Sequence, residues 1–264
     1  MFHDALVPFA ERRIIKMKVS LILTTYNCKA NLKTTLDSID SQDYKDIEVV
    51  IKDGVSTDGT LDIIRKYAEE HENVIWRSDE DNGLYDALNQ GIKMATGDII
   101  AICNDLFNVE DAVSKYVNAI INIPDCIGAH SDLVYVTDDK IVRYWKMGQG
   151  KISNGWLPGH PTLYLKREAY EKYGLYDTSY KCSADYEFMI RMLKDNDVKL
   201  AYIPEVLIRM YYGGTSTRSA GSYWISMKEG IRALKGNNVK NAIGITFLRT
   251  LRVLMQFLRK DYSK

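Results

Sequence analysis

The sequence predicts an α/β fold: a Rossmann-like, mainly parallel central sheet flanked by helices, with a C-terminal helical tail. Three observations carry the prediction. Apolar, β-rich runs alternate with amphipathic helical patterns through roughly the first hundred residues. Each of those runs ends on polar residues. Of 264 residues, 46% are hydrophobic and 27% charged, with only 5 prolines, which supplies a sizeable core and gives no compositional case for disorder.

Taken in order, Val19 to Thr24 (VSLILT) reads as a strand, and beyond polar Thr25-Tyr26-Asn27 a helix places Leu32, Leu36 and Ile39 on one face. Ile47 to Lys52 (IEVVIK) is a second strand ending at Asp53. The turn-rich GVSTDGT then leads into a helix bearing Leu61, Ile64, Tyr67 and Ala68. Val74-Ile75-Trp76 is a third, shorter strand. A helix from about Leu84 to Ala95 delivers the chain into a fourth, Ile99 to Cys103. This alternation implies right-handed crossovers and a two-sided sheet, in which ligands bind beyond the carboxyl ends of the strands. The exits are Thr24 to Asn27, Asp53, Ser78-Asp79 and Asn104-Asp105, all polar.

The second half is less regular. Asp132 to Val136 and Ile141 to Trp145 suggest a hairpin, and Gly148 to Pro158 a glycine-containing connection. Gly159-His160-Pro161-Thr162 introduces a short strand, Leu163 to Leu165, before a helix over Arg167 to Tyr173. A further helix with an acidic first turn spans Ala184 to Leu193, and a strand covers Val198 to Ile203. Residues 224–260 read as two helices broken near Gly236-Asn237-Asn238. The expected organisation is an extension over 1–16, a domain over 17–223 with halves 17–107 and 108–223, and a tail over 224–264.

Lys plus Arg and Asp plus Glu balance at 35 each, so no overall field recruits nucleic acid, and charged partners must be recognised locally. Four cysteines are far apart with no CxxC, against a zinc ribbon or a disulfide framework; a reducing cytoplasm is expected. The first 16 residues lack the apolar core of a signal peptide, and no stretch approaches the roughly 20 apolar residues that cross a bilayer.

No GxGxxG follows the first strand and no GxxxxGK[ST] occurs, so neither a dinucleotide fingerprint nor a P-loop is supported. DGVSTDGT lacks the acidic pattern of a calcium loop. Where a diphosphate leaves, a divalent metal is an economical way to neutralise its charge, and carboxylates suit Mg²⁺ or Mn²⁺. Asp105 is the best-placed candidate ligand; alternatively it caps a helix that starts near Val109.

The strings VSLILTTYN, VVIKDGVSTDGT, DNGLYDALNQGIKMATGD and GHPTLYLKREAY...ADYEFMIRM resemble, in order and spacing, family-2 glycosyltransferases of the GT-A (nucleotide-diphospho-sugar transferase) fold. The resemblance covers roughly Met17 to Tyr211 and points to bacterial cell-surface polysaccharide assembly. It implies an inverting transferase that moves a hexose from a UDP-sugar to a glycan or lipid-linked acceptor. Thr24, Tyr26 and Asp53 would then hold the donor's uridine, while Asp81, Gly83, Asp86, Ala87, Asn89 and Gly91 line the donor pocket, with Asn104 beside them. The general base would be Asp185, for which a capping or helix-dipole role is the alternative. His160 would line the substrate site. Relatives carry Asn-x-Asp-Asp or Asn-x-Gly-Asp where this chain reads Asn104-Asp105-Leu106-Phe107, about two residues shorter. With a gap, Asp105 takes the place of the family's final metal-binding aspartate; without one, Leu106 and Phe107 fill those places. A non-catalytic sugar-nucleotide or glycan-binding relative with a degenerate metal site is therefore the alternative. A nucleotidyltransferase would need a glycine- and arginine-rich signature that TTYNCKANLK lacks.

Two further features stay open. Glu187 could assist Asp185, and Trp156 and Tyr186 could stack on a sugar. Ala242, Ile243, Phe247, Leu251, Leu254 and Leu258 fall on one face of a basic helix, with Lys240, Arg249, Arg252, Arg259 and Lys260 elsewhere. Such a helix could lie on an anionic membrane or pack on the body.

Overall fold

The computed structural model describes residues 16–137, 140–212 and 220–258. The expected extension, apart from Lys16, and the side chains of Leu258, Arg259 and Lys260 lie outside the described residues. Nine strands form one curled sheet: β1 (Val19–Thr25), β2 (Ile47–Asp53), β3 (Val74–Ser78), β4 (Ile99–Ile102), β5 (Leu106–Phe107), β6 (Cys126–Thr137), β7 (Lys140–Trp145), β8 (Tyr164–Lys166) and β9 (Lys199–Tyr211). Their order is β3-β2-β1-β4-β8-β6-β9-β5, with β7 beside β6. The helices are α1 (Lys29–Asp40), α2 (Thr60–Glu70), α3 (Leu84–Met94), α4 (Ala112–Asn122), α5 (Arg167–Tyr173), α6 (Ala184–Leu193), α7 (Ala220–Gly236) and α8 (Ala242–Leu258).

The β3-β2-β1-β4 block is wholly parallel, as strands joined by helical crossovers must be. Because both faces are covered, its strands are continuous apolar runs, and alternate residues serve separate cores. Val19, Leu21 and Leu23 join the core under α1, α2 and α4, whereas Ile22 points to the core under α3, α5 and α6. Beyond β4 the sheet is mixed. Antiparallel β8 separates β4 from β6, and β6 pairs in parallel with β9. That reversal puts the carboxyl ends of β6 and β9 on the same sheet edge as those of β1, β2 and β4. The amino end of β5, antiparallel to β9, arrives there too. Residues from both halves of the chain thus meet along one edge.

Two local features bring α3 into place. Gly91 allows close approach to β1, since a Cβ there would lie 2.6 Å from Ile22 Cγ2. Asn89, 7% exposed, spends its whole amide on the loop before α6: its Nδ2 donates to Tyr176 O, and its Oδ1 accepts from Tyr176 N, both at 2.9 Å. The expected strand over Val198 to Ile203 is longer than the periodicity suggested. β9 passes through a bulge at Pro204-Glu205, where the register with β6 slips between Ser131 and Asp132, and continues to Tyr211.

Candidate active site

Asp53, at the end of β2, is wholly buried. It accepts from Thr25 Oγ1 at 2.8 Å, Ser56 Oγ at 2.6 Å, Ser56 N at 2.9 Å and Ser78 Oγ at 2.8 Å. Burial alone would raise its pKa, but these donors outweigh it and hold the carboxyl below the usual range, so it is ionised. Asp53 therefore ties the exits of β1, β2 and β3 into one rigid rim. Its neighbour Lys52, also wholly buried, donates to the carbonyls of Asp53 and Asp79, both at 2.7 Å, and pairs with Asp79 Oδ1 at 3.1 Å and Asp81 Oδ2 at 3.4 Å. Gly54 sits against Asp81 and Tyr26: a Cβ there would lie 2.7 Å from Asp81 Oδ2 and 3.4 Å from Tyr26 Cδ2. The Tyr26 ring, 69% exposed, thus stands open beside Asp81 at the rim. Thr24 and Asn104 are joined twice, Thr24 N to Asn104 Oδ1 at 2.8 Å and Asn104 Nδ2 to Thr24 Oγ1 at 2.9 Å, which clamps the exits of β1 and β4 together. Asp86, in the first turn of α3, accepts from Asn82 N at 2.9 Å and Gln90 Nε2 at 3.1 Å, so here it organises the turn that enters the helix.

Asp105 does not cap a helix. α4 begins at Ala112 after Asp111, and Asp105 instead immediately precedes β5, accepting from Tyr211 N at 3.2 Å. Packing around its half-buried carboxyl pushes the pKa up to about 7, so burial penalises the ionised form. Leu106 and Phe107 are strand residues, with Phe107 in the core, and offer no ligand. Among the described residues no cluster of three or more His, Cys, Asp or Glu could hold a metal by itself. One carboxylate fits Mg²⁺ or Mn²⁺ only as a partial shell, completed by water and substrate phosphates, and that is these ions' habit.

Asp185, in the first turn of α6, accepts from Tyr85 OH of α3 at 2.9 Å, a bond across 100 residues of chain. Its side chain bonds across to α3 instead of capping its own helix. The loop before it is pinned by Glu229 of α7, whose two oxygens accept from Lys181 N at 2.8 Å and Cys182 N at 2.9 Å. His160 Nε2 meets Tyr176 OH at 2.7 Å, and burial lowers the imidazole pKa, so the ring is neutral at neutral pH. Glu187, by contrast, is 7% exposed, pairs with Arg191 at 2.8 Å and accepts from Asn237 Nδ2 at 3.0 Å; it holds α6 to the α7 end and takes no part in the site.

Tyr135, near the end of β6, sits amid the charges of Asp105, Asp185, Arg143 and Arg249, with burial the main force raising its own pKa. A cavity of about 570 Å³ opens beside it, with Asp185 and His160 in one wall. Trp156 and Tyr186 both line it. Trp156 Nε1 donates to Met147 O at 3.0 Å, which fixes the indole by its edge, and Arg249 lies over the Tyr186 ring at 4.1 Å. α8 contributes to the lining through Arg249, Arg252, Val253, Met255 and Gln256. Of the two sequence readings of the helix, a membrane face or a face packed on the body, the apolar stripe does not supply the packing face. Arg249 and Arg252 line the cavity, while Ile243, Phe247, Leu251 and Leu254 are 70%, 62%, 40% and 56% exposed; among the described residues of the predicted apolar face, Ala242 alone is buried.

Lys52, Tyr85, Tyr135, Arg143, Tyr176 and Arg249 escaped the sequence reading. A lysine in a strand buried on both faces beside an aspartate was the one local signal, for Lys52. The others depend on contacts between remote segments.

Comparison with known proteins follows this geometry. The model described as Glycosyl transferase family 2 matches residues 20–185. A PGL/p-HBAD biosynthesis glycosyltransferase of Mycobacterium bovis is 33% identical over 208 residues, 75% of this chain and 78% of the relative. A dolichyl N-acetyl-alpha-D-glucosaminyl phosphate 3-beta-D-2,3-diacetamido-2,3-dideoxy-beta-D-glucuronosyltransferase of Methanococcus voltae is 27% identical over 243 residues, 83% of this chain and 73% of the relative. In structure, the chain is similar to S. aureus TarS 1-349 in complex with UDP-GlcNAc, with a TM-score of 0.69, 18% identity, and coverage of 90% of this chain and 73% of that one. It is also similar to the mannosyltransferase PcManGT from Pyrobaculum calidifontis in complex with GDP-Man and Mn²⁺, with a TM-score of 0.62, 20% identity, and coverage of 92% and 75%. The site's layout and these likenesses agree: the chain belongs to glycosyl transferase family 2, a glycosyltransferase of GT-A fold.

Proposed function

We propose that the chain is an inverting transferase that moves a hexose from a UDP-sugar to a glycan or lipid-linked acceptor in cell-surface polysaccharide assembly. It would work in the cytoplasm, at the inner face of the membrane. The observation that carries the reading is Asp185, an acidic side chain held by Tyr85 from the donor side and aimed into a cavity on the acceptor side. In this reading 17–107 binds donor, 108–223 binds acceptor and performs the chemistry, and 224–264 contributes to the cavity lining.

The exposed Tyr26 ring and Asp81 take the uracil and ribose, on a rim fixed by Asp53, Asp86 and the Thr24–Asn104 pair. Asp105 would hold Mn²⁺ or Mg²⁺, which would supply positive charge to the departing diphosphate when bound. Asp185 takes the acceptor hydroxyl's proton as its oxygen attacks the anomeric carbon opposite the diphosphate, and configuration inverts. Neutral His160, fixed by Tyr176, lines the acceptor side of the cavity. The outward apolar stripe of α8, with exposed Lys240 at its start, supports docking on an anionic membrane surface, where a lipid-linked acceptor resides.

The test is UDP release across a panel of UDP-sugars with and without Mn²⁺, paired with calorimetric UDP binding. Asp185→Asn should keep UDP binding and lower release by about 10²–10⁴-fold. No UDP binding with Mn²⁺ present and no release from any donor would sink the proposal.

A further inference from the structure

Asp53, expected to hold the donor's uridine, has no acceptor to spare. Its Oδ1 accepts from Thr25 Oγ1 and Ser56 Oγ, and its Oδ2 from Ser56 N and Ser78 Oγ, so both lone pairs of each oxygen are taken. The residue is wholly buried as well. Asp81, the neighbouring carboxylate on the rim, is different. Each of its oxygens accepts a single bond, from Gly83 N at 2.9 Å and from Lys52 Nζ at 3.4 Å, and its side chain is 15% exposed.

Lys52 makes that second bond from inside the sheet. It follows Val50 on the face of β2 that packs under α3, and an ammonium buried there is costly unless oxygens surround it. Four do so: the carbonyls of Asp53 and Asp79, Asp79 Oδ1 and Asp81 Oδ2. Asp79 divides its oxygens between Lys52 and Arg77, whereas among the described residues Lys52 is the one cation paired with Asp81. Gly54 leaves bare the gap that Asp81 and Tyr26 flank, since a Cβ there would meet both. The exposed Tyr26 ring offers a face on which a base can stack, and Asp81 offers an acceptor beside the edge of that base.

We propose that Lys52 is a positioning residue of the donor site: it holds Asp81 beside Tyr26, where Asp81, and not Asp53, accepts the imino N–H of a uracil stacked on the ring. Uracil carries that N–H at N3. Cytosine has a bare lone pair at the same place, which would face a carboxylate oxygen with no proton between them. Lys52 thus sets the preference between bases without touching the base. The inference rests on the proposed UDP-sugar donor and adds how its base is read.

The experiment titrates the full chain calorimetrically with UDP and with CDP, Mn²⁺ present throughout, in the parent, Lys52→Met, Asp81→Ala and the double variant. The parent should bind UDP about tenfold tighter than CDP, and each single variant should lose about tenfold for UDP and bring the two nucleotides within about twofold of each other. Because Lys52 acts through Asp81, Lys52→Met should weaken UDP binding by less than about twofold once Asp81 is alanine. A general loosening of the rim would instead weaken both nucleotides alike and add to the loss from Asp81→Ala. Should Lys52→Met fail to fold, Lys52→Gln keeps two N–H donors for the carbonyls of Asp53 and Asp79 and carries the same expectation. A UDP preference that survives either single change, or losses that multiply in the double variant, overturns the inference. A parent that binds UDP and CDP equally removes this inference alone and leaves the donor reading standing; a parent that binds neither nucleotide fails the donor reading itself.

Discussion

Asn89 offers a direct probe of how the two halves are joined. Its side chain satisfies both backbone groups of Tyr176 at 2.9 Å, in a site where Asn89 is 7% and Tyr176 4% exposed, so water cannot replace it without opening the core. Asn89→Ala leaves a buried N–H and a buried C=O unpaired. At about 1–3 kcal/mol for each orphaned group, partly relieved by local relaxation, the expected loss is about 3 kcal/mol. For a chain of this size, about 2–4 °C per kcal/mol turns that into a fall of roughly 6–12 °C in Tm, read by calorimetry or circular dichroism. Asn89→Asp is the sharper variant. It keeps the acceptor for Tyr176 N but sets an oxygen against Tyr176 O, so it should lose at least as much as alanine at neutral pH. Because Tyr176 holds His160 and precedes α6, transfer should fall in both variants even below Tm, while UDP binding at the opposite rim changes little. Asn82→Ala, on the exposed turn before α3, is the control and should leave Tm near that of the parent. An Asn89→Ala protein melting within 2 °C of the parent would refute the account of the interhalf clamp.

Two other predictions concern charge and surface. Glu48 is 2% exposed; burial would raise its pKa, but hydrogen bonds from Lys18, Thr96 and Ser20 hold it at about 2 against 4.5 unperturbed. Its folded pKa is depressed, so its contribution of roughly 2–3 kcal/mol is complete above about pH 4.5 and drains away as pH falls toward 2. Denaturant melts of the parent and Glu48→Gln should differ by that amount at pH 6 and converge near pH 2; a gap that does not change with pH contradicts the linkage. On α8, Phe247→Asp combined with Leu251→Asp should weaken sedimentation with anionic vesicles by about tenfold or more while leaving Tm near the parent's, since both residues already face water. Unchanged vesicle binding would dismiss the membrane role.

The parallel β1 to β4 block was readable locally because each strand is one uninterrupted apolar run and each helix repeats at its own period. The same holds for the helix of Asp185 and the break before α8. Two local signals admitted two readings each. Asp105 read equally well as a cap or a ligand until β5, only two residues long, fixed its surroundings against Tyr211. The apolar stripe of α8 reads equally as a membrane face or a packing face, and backbone contact at Gly155 and the bonds of Arg252 and Gln256 set the Arg249 side of the helix against the body.

Motif order along the chain established the fold class and the family, because those depend on residue types at short, fixed spacings. Which of these residues face one another was settled by folding. The antiparallel β8 brings the ends of β6 and β9 to the edge where β1, β2 and β4 finish, and so sets Asp105 and Asp185 about one tyrosine, Tyr135. The α8 lining of the cavity is the extreme case. Arg249 and Asp185 share no motif, and they line one cavity only because a C-terminal helix folds back across the body.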